Sequence, residues 1–243
     1  MFGKNAIASR VPGAAGFRVH SMFPTIQGEG PYAGVPAIFV RLAGCNLRCW
    51  FCDTQFETPV TQMKHGELLY AMLESAERNN CRFFVFTGGE PMLQEIGALF
   101  RHEKLAKMLF QVETAGSVWP REDMRVDGRV SIVCSPKTHG VAAEIRHMAS
   151  DSNPYLFFKY LISSTDKIDE ETGIPIVDTQ KGGKPLILYH PPQLKLAKRR
   201  IYLQPMDEND DAKNAANAKR AAELCMRYGY RLSLQLHKIV GLD

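Results

Sequence analysis

The chain has 243 residues, 45% of them apolar, and a net charge of +4. That length suits one domain or one with a modest insertion, and the apolar share is ordinary for a packed core. The mild charge, with no long Lys/Arg run, argues against a surface that tracks nucleic acid, and no stretch of about 18 apolar residues offers a membrane span. Residues 1–16 hold small residues and two bases but no apolar segment of a secretory signal, so they read as a flexible tail before a single domain at 17–243. Six cysteines without an export signal point to a reducing cytoplasm.

Short β-rich runs recur along the chain, most of them separated by helical patterns. The predicted strands are Ala37–Leu42, Arg82–Phe86, Phe110–Glu113, Val130–Cys134, Tyr155–Ile162, Arg200–Leu203 and Arg231–Leu236. Leu69, Met72, Leu73 and Ala76 have the spacing of an amphipathic helix, and Met92, Leu93, Ile96, Leu99 and Phe100 repeat it. A further helix starts at Asp210 or Asp211, carries Ala215, Ala218, Ala222 and Cys225 on one stripe, and stops at Gly229. Strands apolar on both faces that alternate with helices predict parallel βα units, about six of them, in an incomplete (β/α) barrel. Ser163–Pro192, rich in Asp, Thr, Gly and Pro, reads as a late surface insertion. The basic group Lys195, Lys198, Arg199 and Arg200 reads as a solvated face.

Three cysteines, Cys45, Cys49 and Cys52, lie within eight residues. Thiolates at this density suit three irons of a cubane iron–sulfur cluster and leave the fourth open, whereas an electron carrier normally has four cysteine ligands. Zinc completed by a distant histidine is the alternative, although structural zinc favours two separated pairs and no second C-x-x-C exists. Disulfides suit the triplet less well, because thiols this close cannot all pair. Cys81, Cys134 and Cys225 sit singly among apolar residues and read as core.

Polar residues directly follow the predicted strands: Cys45, the Thr87–Pro91 run, Glu113-Thr114, Ser135-Pro136-Lys137 and Gln204-Pro205-Met206-Asp207. In a barrel these share the catalytic rim at the carboxyl ends of the strands. Gly88 and Gly89 would let the backbone approach a ligand closely.

The cysteine triplet and the T-G-G-E-P run at 87–91 together resemble the radical S-adenosylmethionine superfamily. Within it the chain resembles the 7-carboxy-7-deazaguanine synthases. The matching segments are F-P-T-I-Q-G-E-G at 23–30, G-V-P-A-I-F-V-R-L-A-G-C at 34–45, C-D-T at 52–54, T-G-G-E-P, V-E-T at 112–114, S-P-K at 135–137, L-Q-P-M at 203–206 and R-L-S-L-Q-L-H-K at 231–238. They span almost the whole chain after residue 17. The triplet is superfamily-wide; I-Q-G-E-G, C-D-T and the terminal Q-L-H-K are more specific.

The resemblance implies ring contraction of 6-carboxy-5,6,7,8-tetrahydropterin to 7-carboxy-7-deazaguanine with release of ammonia, on the route to queuosine. It implies a [4Fe–4S] cluster on Cys45, Cys49 and Cys52, S-adenosylmethionine regenerated after a deoxyadenosyl radical takes and returns a hydrogen atom, and Mg²⁺ on Thr54. Phe51, Cys52, Asp53, Gly89, Ser135, Pro136, Lys137, Gln204, Pro205, Met206 and Asp207 match positions around S-adenosylmethionine. Ile26, Gln27, Gly28, Glu29, Arg41 and Thr87 match substrate contacts, and Asp243 matches a chain end that reaches the substrate in some relatives. Gln27 and Glu29 suit the amide and amine of a pterin edge, and Arg41 suits its carboxylate. His139 and His237 are left outside the set. A homodimer and a flavodoxin-like electron donor are implied too, with no direct nucleic-acid contact. The leading tail and the longer 163–192 region depart from shorter family members. The rivals are another radical S-adenosylmethionine enzyme, such as a glycyl-radical activase, and a non-catalytic zinc-binding interaction protein.

Overall fold

The computed structural model describes residues 4–121, 124–180, 183–193 and 197–242. Asp243 and Lys195 lie outside the described residues. The fold is mixed α/β, built on a nine-stranded sheet in the order β12-β11-β7-β6-β5-β4-β2-β1-β3. Its parallel part comprises β2 (Pro36–Leu42), β4 (Phe83–Gly88), β5 (Leu109–Thr114), β6 (Val130–Cys134), β7 (Leu156–Ile162), β11 (Ile201–Pro205) and β12 (Arg231–Leu232). These strands follow one another across the sheet in chain order, each parallel to the next. Two strands missed by the sequence reading, β1 (Phe17–Ile26) and β3 (Thr61–Met63), extend the β2 edge antiparallel, so the sheet is open.

The predicted strands are therefore not apolar on both faces. One face carries Ile38, Val40, Phe84, Phe86, Phe110, Val112, Ile132 and Phe158, all buried among themselves and the flanking helices. Alternate positions place Arg41, Gln111, Glu113, Ser131, Lys159 and Gln204 on the other face, as the two-residue period of a strand requires. Gln111, Ser131, Lys159 and Gln204 are buried despite their polarity. A buried polar face positions chemistry, where an apolar one would only pack.

The helices are fewer than six βα units demand. α1 (His65–Arg78) buries Leu68, Leu69, Met72 and Ala76. The helix predicted around Met92–Phe100 is instead a 3-10 turn at Pro91–Leu93 and the single turn α2 (Gly97–Phe100). Gln94 breaks it: its side chain accepts from Arg18 N at 2.8 Å and donates to Ala43 O at 3.1 Å, satisfying other strands' backbone instead of continuing a helix. Among the described residues no helix joins β5 to β6, and α3 (Ala143–Ser150) joins β6 to β7.

α4 (Asp211–Tyr228) has the predicted ends, with the Asp210 carboxylate accepting from Lys213 N at 3.0 Å and Gly229 left-handed at φ 75°. Its buried stripe is Asn217, Ala221, Leu224 and Cys225, so Ala215 faces solvent instead of the core. Asn217 is drawn inward because its amide donates to Met206 O at 2.9 Å and accepts from Ser164 N at 2.6 Å. Those bonds satisfy groups that would otherwise be buried without partners.

Arg231–Leu236 is strand only at its start. After β12 the chain turns into α5 (Leu236–Ile239), because Leu236 N bonds Gly28 O at 3.1 Å. The 163–192 insertion forms a small antiparallel sheet of β8 (Lys167–Ile168), β9 (Pro175–Val177) and β10 (Leu186–Ile187). Residues 4–16 differ from a loose tail: Asn5 is buried, Ala8 N bonds Cys45 O at 2.8 Å and Val11 N bonds Leu93 O at 2.9 Å. Lys198 and Arg199 are exposed, as expected, whereas Arg200 is half-buried because its guanidinium donates to Ser152 O and, at 2.7 Å, to Asn153 O.

Candidate active site

The carboxyl ends of the parallel strands gather the chemistry-bearing residues on one edge of the sheet. β2 runs into Gly44, at φ 90°, and then the cysteine loop; β4 runs into Gly88, at φ 118°, and Gly89. A side chain on Gly89 would meet Gly44 O at 2.0 Å, and Glu90 N bonds that same oxygen at 2.9 Å. Glycine is thus what lets the loops after β2 and β4 lie against each other.

Cys45, Cys49 and Cys52 are all free and partly exposed, whereas Cys81, Cys134 and Cys225 are free and buried. Burial raises the Cys45 thiol to about 12, helped by the nearby Glu90, Cys49 and Cys52. Burial also raises Cys52. Three thiolates held together are therefore costly without a cationic centre to neutralise them, and binding one would release protons. Among the described residues no three His, Cys, Asp or Glu side chains converge closely enough to hold one ion. Structural zinc favours four protein ligands, whereas a cubane takes each of three thiolates on a different iron. The donor set fits the cluster.

Beside the loop lies a cavity of about 400 Å³, a size suited to a small-molecule ligand. Phe51, Pro136, Lys137 and Met206 line it, joined by Trp50 and by Ile176–Thr179 of the insertion. Lys137 stands over the Phe51 ring at 5.8 Å and donates to Ser135 Oγ at 2.6 Å. Burial lowers its pKa. Asp53 and Asp207 are joined by Lys238, at 3.2 and 2.7 Å. Thr54 Oγ1 donates to Asp53 Oδ1 at 3.3 Å. Gln204 is buried further down β11 and accepts from Ser233 Oγ at 3.1 Å.

Of the residues matched to substrate, Gln27, Glu29, Arg41 and Thr87 converge on the polar face, whereas Ile26, paired with Pro36, falls on the Ile38 side of the sheet. Gln27 Nε2 donates to Glu113 Oε1 at 2.9 Å, and its own oxygen accepts from Glu29 N at 3.0 Å. Glu29 pairs with Lys159 and accepts from Gln235 Nε2 at 2.8 Å. Burial alone would raise Glu29, yet the Lys159 charge and the hydrogen bonds from Lys159 and Gln235 hold its carboxyl down at about 2. Lys159 is raised against its own burial by Glu113 and Glu29. Gly28 packs so tightly on His237 that an added Cβ would lie 2.0 Å from its Nδ1. Ile26 ends β1, and Arg41 on β2 pairs in register with Thr87 on β4, its guanidinium 5.2 Å from the Phe23 ring.

Sequence reasoning missed Gln111, Lys159, Gln235 and Lys238, and left out His237. Gln111 Oε1 and His237 Nδ1 are buried without a hydrogen-bond partner among the described residues. The alternation Gln111-x-Glu113 inside an apolar strand was the available signal. His139 is exposed.

Residues 40–149 match the family model described as the radical SAM superfamily. The 7-carboxy-7-deazaguanine synthase of Rhodospirillum rubrum is 36% identical over the whole of both chains. The chain belongs to the 7-carboxy-7-deazaguanine synthase family. A Rickettsia prowazekii member is 35% identical across all of this chain and 96% of its own, and an Escherichia coli K12 member is 25% identical across 93% and 99%. The fold is similar to a solved structure titled "Crystal structure of QueE from Escherichia coli", with a TM-score of 0.58, 22% identity, and coverage of 90% of this chain and 93% of that one. As a family member this chain is a radical S-adenosylmethionine lyase, with a [4Fe–4S] cluster and S-adenosylmethionine as cofactors. No helix among the described residues is long and apolar enough to cross a membrane.

Proposed function

We propose that this enzyme contracts the ring of 6-carboxy-5,6,7,8-tetrahydropterin to 7-carboxy-7-deazaguanine and releases ammonia. The observation that carries the reading is the buried polar face, where Gln27, Glu29, Glu113 and Lys159 are linked and Gln111 Oε1 and His237 Nδ1 lack partners. A flat heterocycle with an amide and amines on its edge suits such donors and acceptors, and Arg41 suits its carboxylate. Cys45, Cys49 and Cys52 would hold the cluster, which together with S-adenosylmethionine would supply radical chemistry. The chain's own residues bind, orient and shield. Phe51, Pro136, Lys137 and Met206, which line the cavity, would hold S-adenosylmethionine together with Asp53, Gly89, Ser135, Gln204, Pro205 and Asp207. Ile26, Gly28 and Thr87 complete the substrate contacts.

The same reading takes Thr54 as a ligand of Mg²⁺, supported by the all-oxygen pair it forms with Asp53. It takes the open sheet as an incomplete (β/α) barrel, supported by its sequential parallel order. It takes 17–243 as one catalytic domain, a flavodoxin-like donor, a homodimer, and a reducing cytoplasm in which an exposed cluster survives. The test is anaerobic turnover of the pterin with reductant, Mg²⁺ and S-adenosylmethionine, followed by ultraviolet absorbance and mass. Product in excess of the S-adenosylmethionine supplied is expected. Free 5′-deoxyadenosine with intact pterin would reject this substrate.

A further inference from the structure

The insertion that the motifs bypass is in contact with the cysteine loop. Trp50 N bonds Thr179 O at 3.3 Å, the Trp50 indole donates to Asp178 O at 2.6 Å, and Cys49 and Gln180 form an antiparallel bridge. Residues of the N-terminal segment grip the same loop. Asn5 Nδ2 donates to Leu47 O at 2.8 Å, Arg48 Nε donates to Asn5 O at 2.9 Å, and Ile7 bridges Cys45.

Within this clamp one side chain reaches a sulfur. Gln180 Nε2 lies 3.3 Å from Cys49 Sγ, while Gln180 Oε1 accepts from Arg48 N at 2.9 Å. The second bond fixes the first. Only the amide oxygen can accept the Arg48 N–H, so the amide nitrogen must face the sulfur. The Gln180 backbone is held as well, its N–H bonding Asp178 Oδ1 at 3.0 Å and its carbonyl accepting from Gly183 N at 2.9 Å.

We propose that Gln180 is a positioning residue for the cluster, donating an N–H···S bond to Cys49 and making the cluster easier to reduce. Hydrogen bonds to cluster sulfurs and solvent exposure are among the levers that set such potentials. An amide N–H stabilises the more negative, reduced form more than the oxidised one. The electron comes from the low-potential one-electron donor that the enzyme already requires. The inference rests on the cysteines holding a cluster, and it assigns the insertion a role beyond covering the cavity.

The test uses the full chain, reconstituted anaerobically with iron and sulfide. Iron and sulfide content are measured, and cluster reduction is followed by EPR across a potential series without S-adenosylmethionine. Gln180→Met and Gln180→Leu keep the bulk of the side chain and remove the donor. With full iron content, each is expected to lower the equilibrium constant for one-electron uptake about 3- to 10-fold, roughly 30–60 mV at ~59 mV per tenfold. Glu170→Ala removes an exposed partner of Arg227 elsewhere in the insertion, and is expected to leave the potential unchanged. Loaded variants with the parent's potential would overturn the role of Gln180. So would loss of iron from both variants while Glu170→Ala stays loaded, because that marks a purely structural contact. A parent protein that assembles no iron would instead overturn the cluster reading itself.

Discussion

Glu29 and Lys159 form a buried ion pair that ties the loop after β1 to β7 across 130 residues of sequence. Glu113, 3.4 Å from the same ammonium, makes it a three-membered group. Lys159→Met should leave the buried Glu29 and the partly buried Glu113 carboxylates unneutralised and cost about 3–5 kcal/mol in denaturant unfolding. Adding Glu29→Gln should recover part of that loss. The Glu29 carboxyl sits below its ordinary 4.5, so its contribution is present above pH 4.5 and lost as pH falls through about 2. Equal unfolding midpoints for parent and Lys159→Met would disprove the pair's importance.

Replacing Cys45, Cys49 or Cys52 singly by Ala should abolish the brown chromophore and turnover, since each loss opens another iron to solvent. Cys225→Ala should keep both, because that thiol is buried on α4 among core residues. Iron analysis and absorbance spectra decide it, and full activity in any triplet variant would sink the radical chemistry.

Arg41→Ala should weaken the enzyme toward the pterin while leaving its cluster and S-adenosylmethionine binding intact. Removing one side of a charged hydrogen bond in a closed site costs on the order of 2–4 kcal/mol, or roughly 30- to 1000-fold in kcat/KM. A variant that instead fails to bind S-adenosylmethionine would move Arg41 to the cofactor.

Thr54→Ala should raise the Mg²⁺ needed for half-maximal rate, with cluster content unchanged. The loss of one neutral oxygen is worth about 1–3 kcal/mol. Superimposable magnesium titrations of parent and variant would remove Thr54 from the metal.

Glu90 makes stability depend on pH in the opposite sense to Glu29. Burial raises its carboxyl to about 7, against hydrogen bonds from Thr114 Oγ1, Met92 N and Ala115 N. Its favourable contribution is therefore present in full below pH 4.5 and lost as pH rises through about 7, a change of about 3 kcal/mol. Urea midpoints at pH 5 and pH 8 should fall for the parent and fall less for Glu90→Gln. Parallel pH profiles would show that Glu90 does not titrate in this window.

Local chemistry was legible in the sequence. The triplet Cys45, Cys49 and Cys52, the glycines after β4 and the polar residues closing each strand are neighbours along the chain, and spacing alone predicts their edge of the sheet. The Asp210 cap and Gly229 stop of α4 are local signals too, set by backbone geometry within one turn. Burial of polar groups was not legible. Periodicity favours alanine over asparagine for a core stripe, and it could not foresee that Asn217 finds Met206 O and Ser164 N across a loop. Nor could it show that Gln111 and Lys159 share a face with Glu113, where Lys159 meets Glu29 and Glu113 meets Gln27 and Gln111. Gln180 and Asn5 lay in segments without a motif, 131 and 42 residues from the loop groups they bond. Whether a polar side chain is solvated, paired or held for a ligand depends on partners brought together by strand order and register. Residue types and spacing set the candidate chemistry; only the tertiary structure decides which distant groups satisfy it.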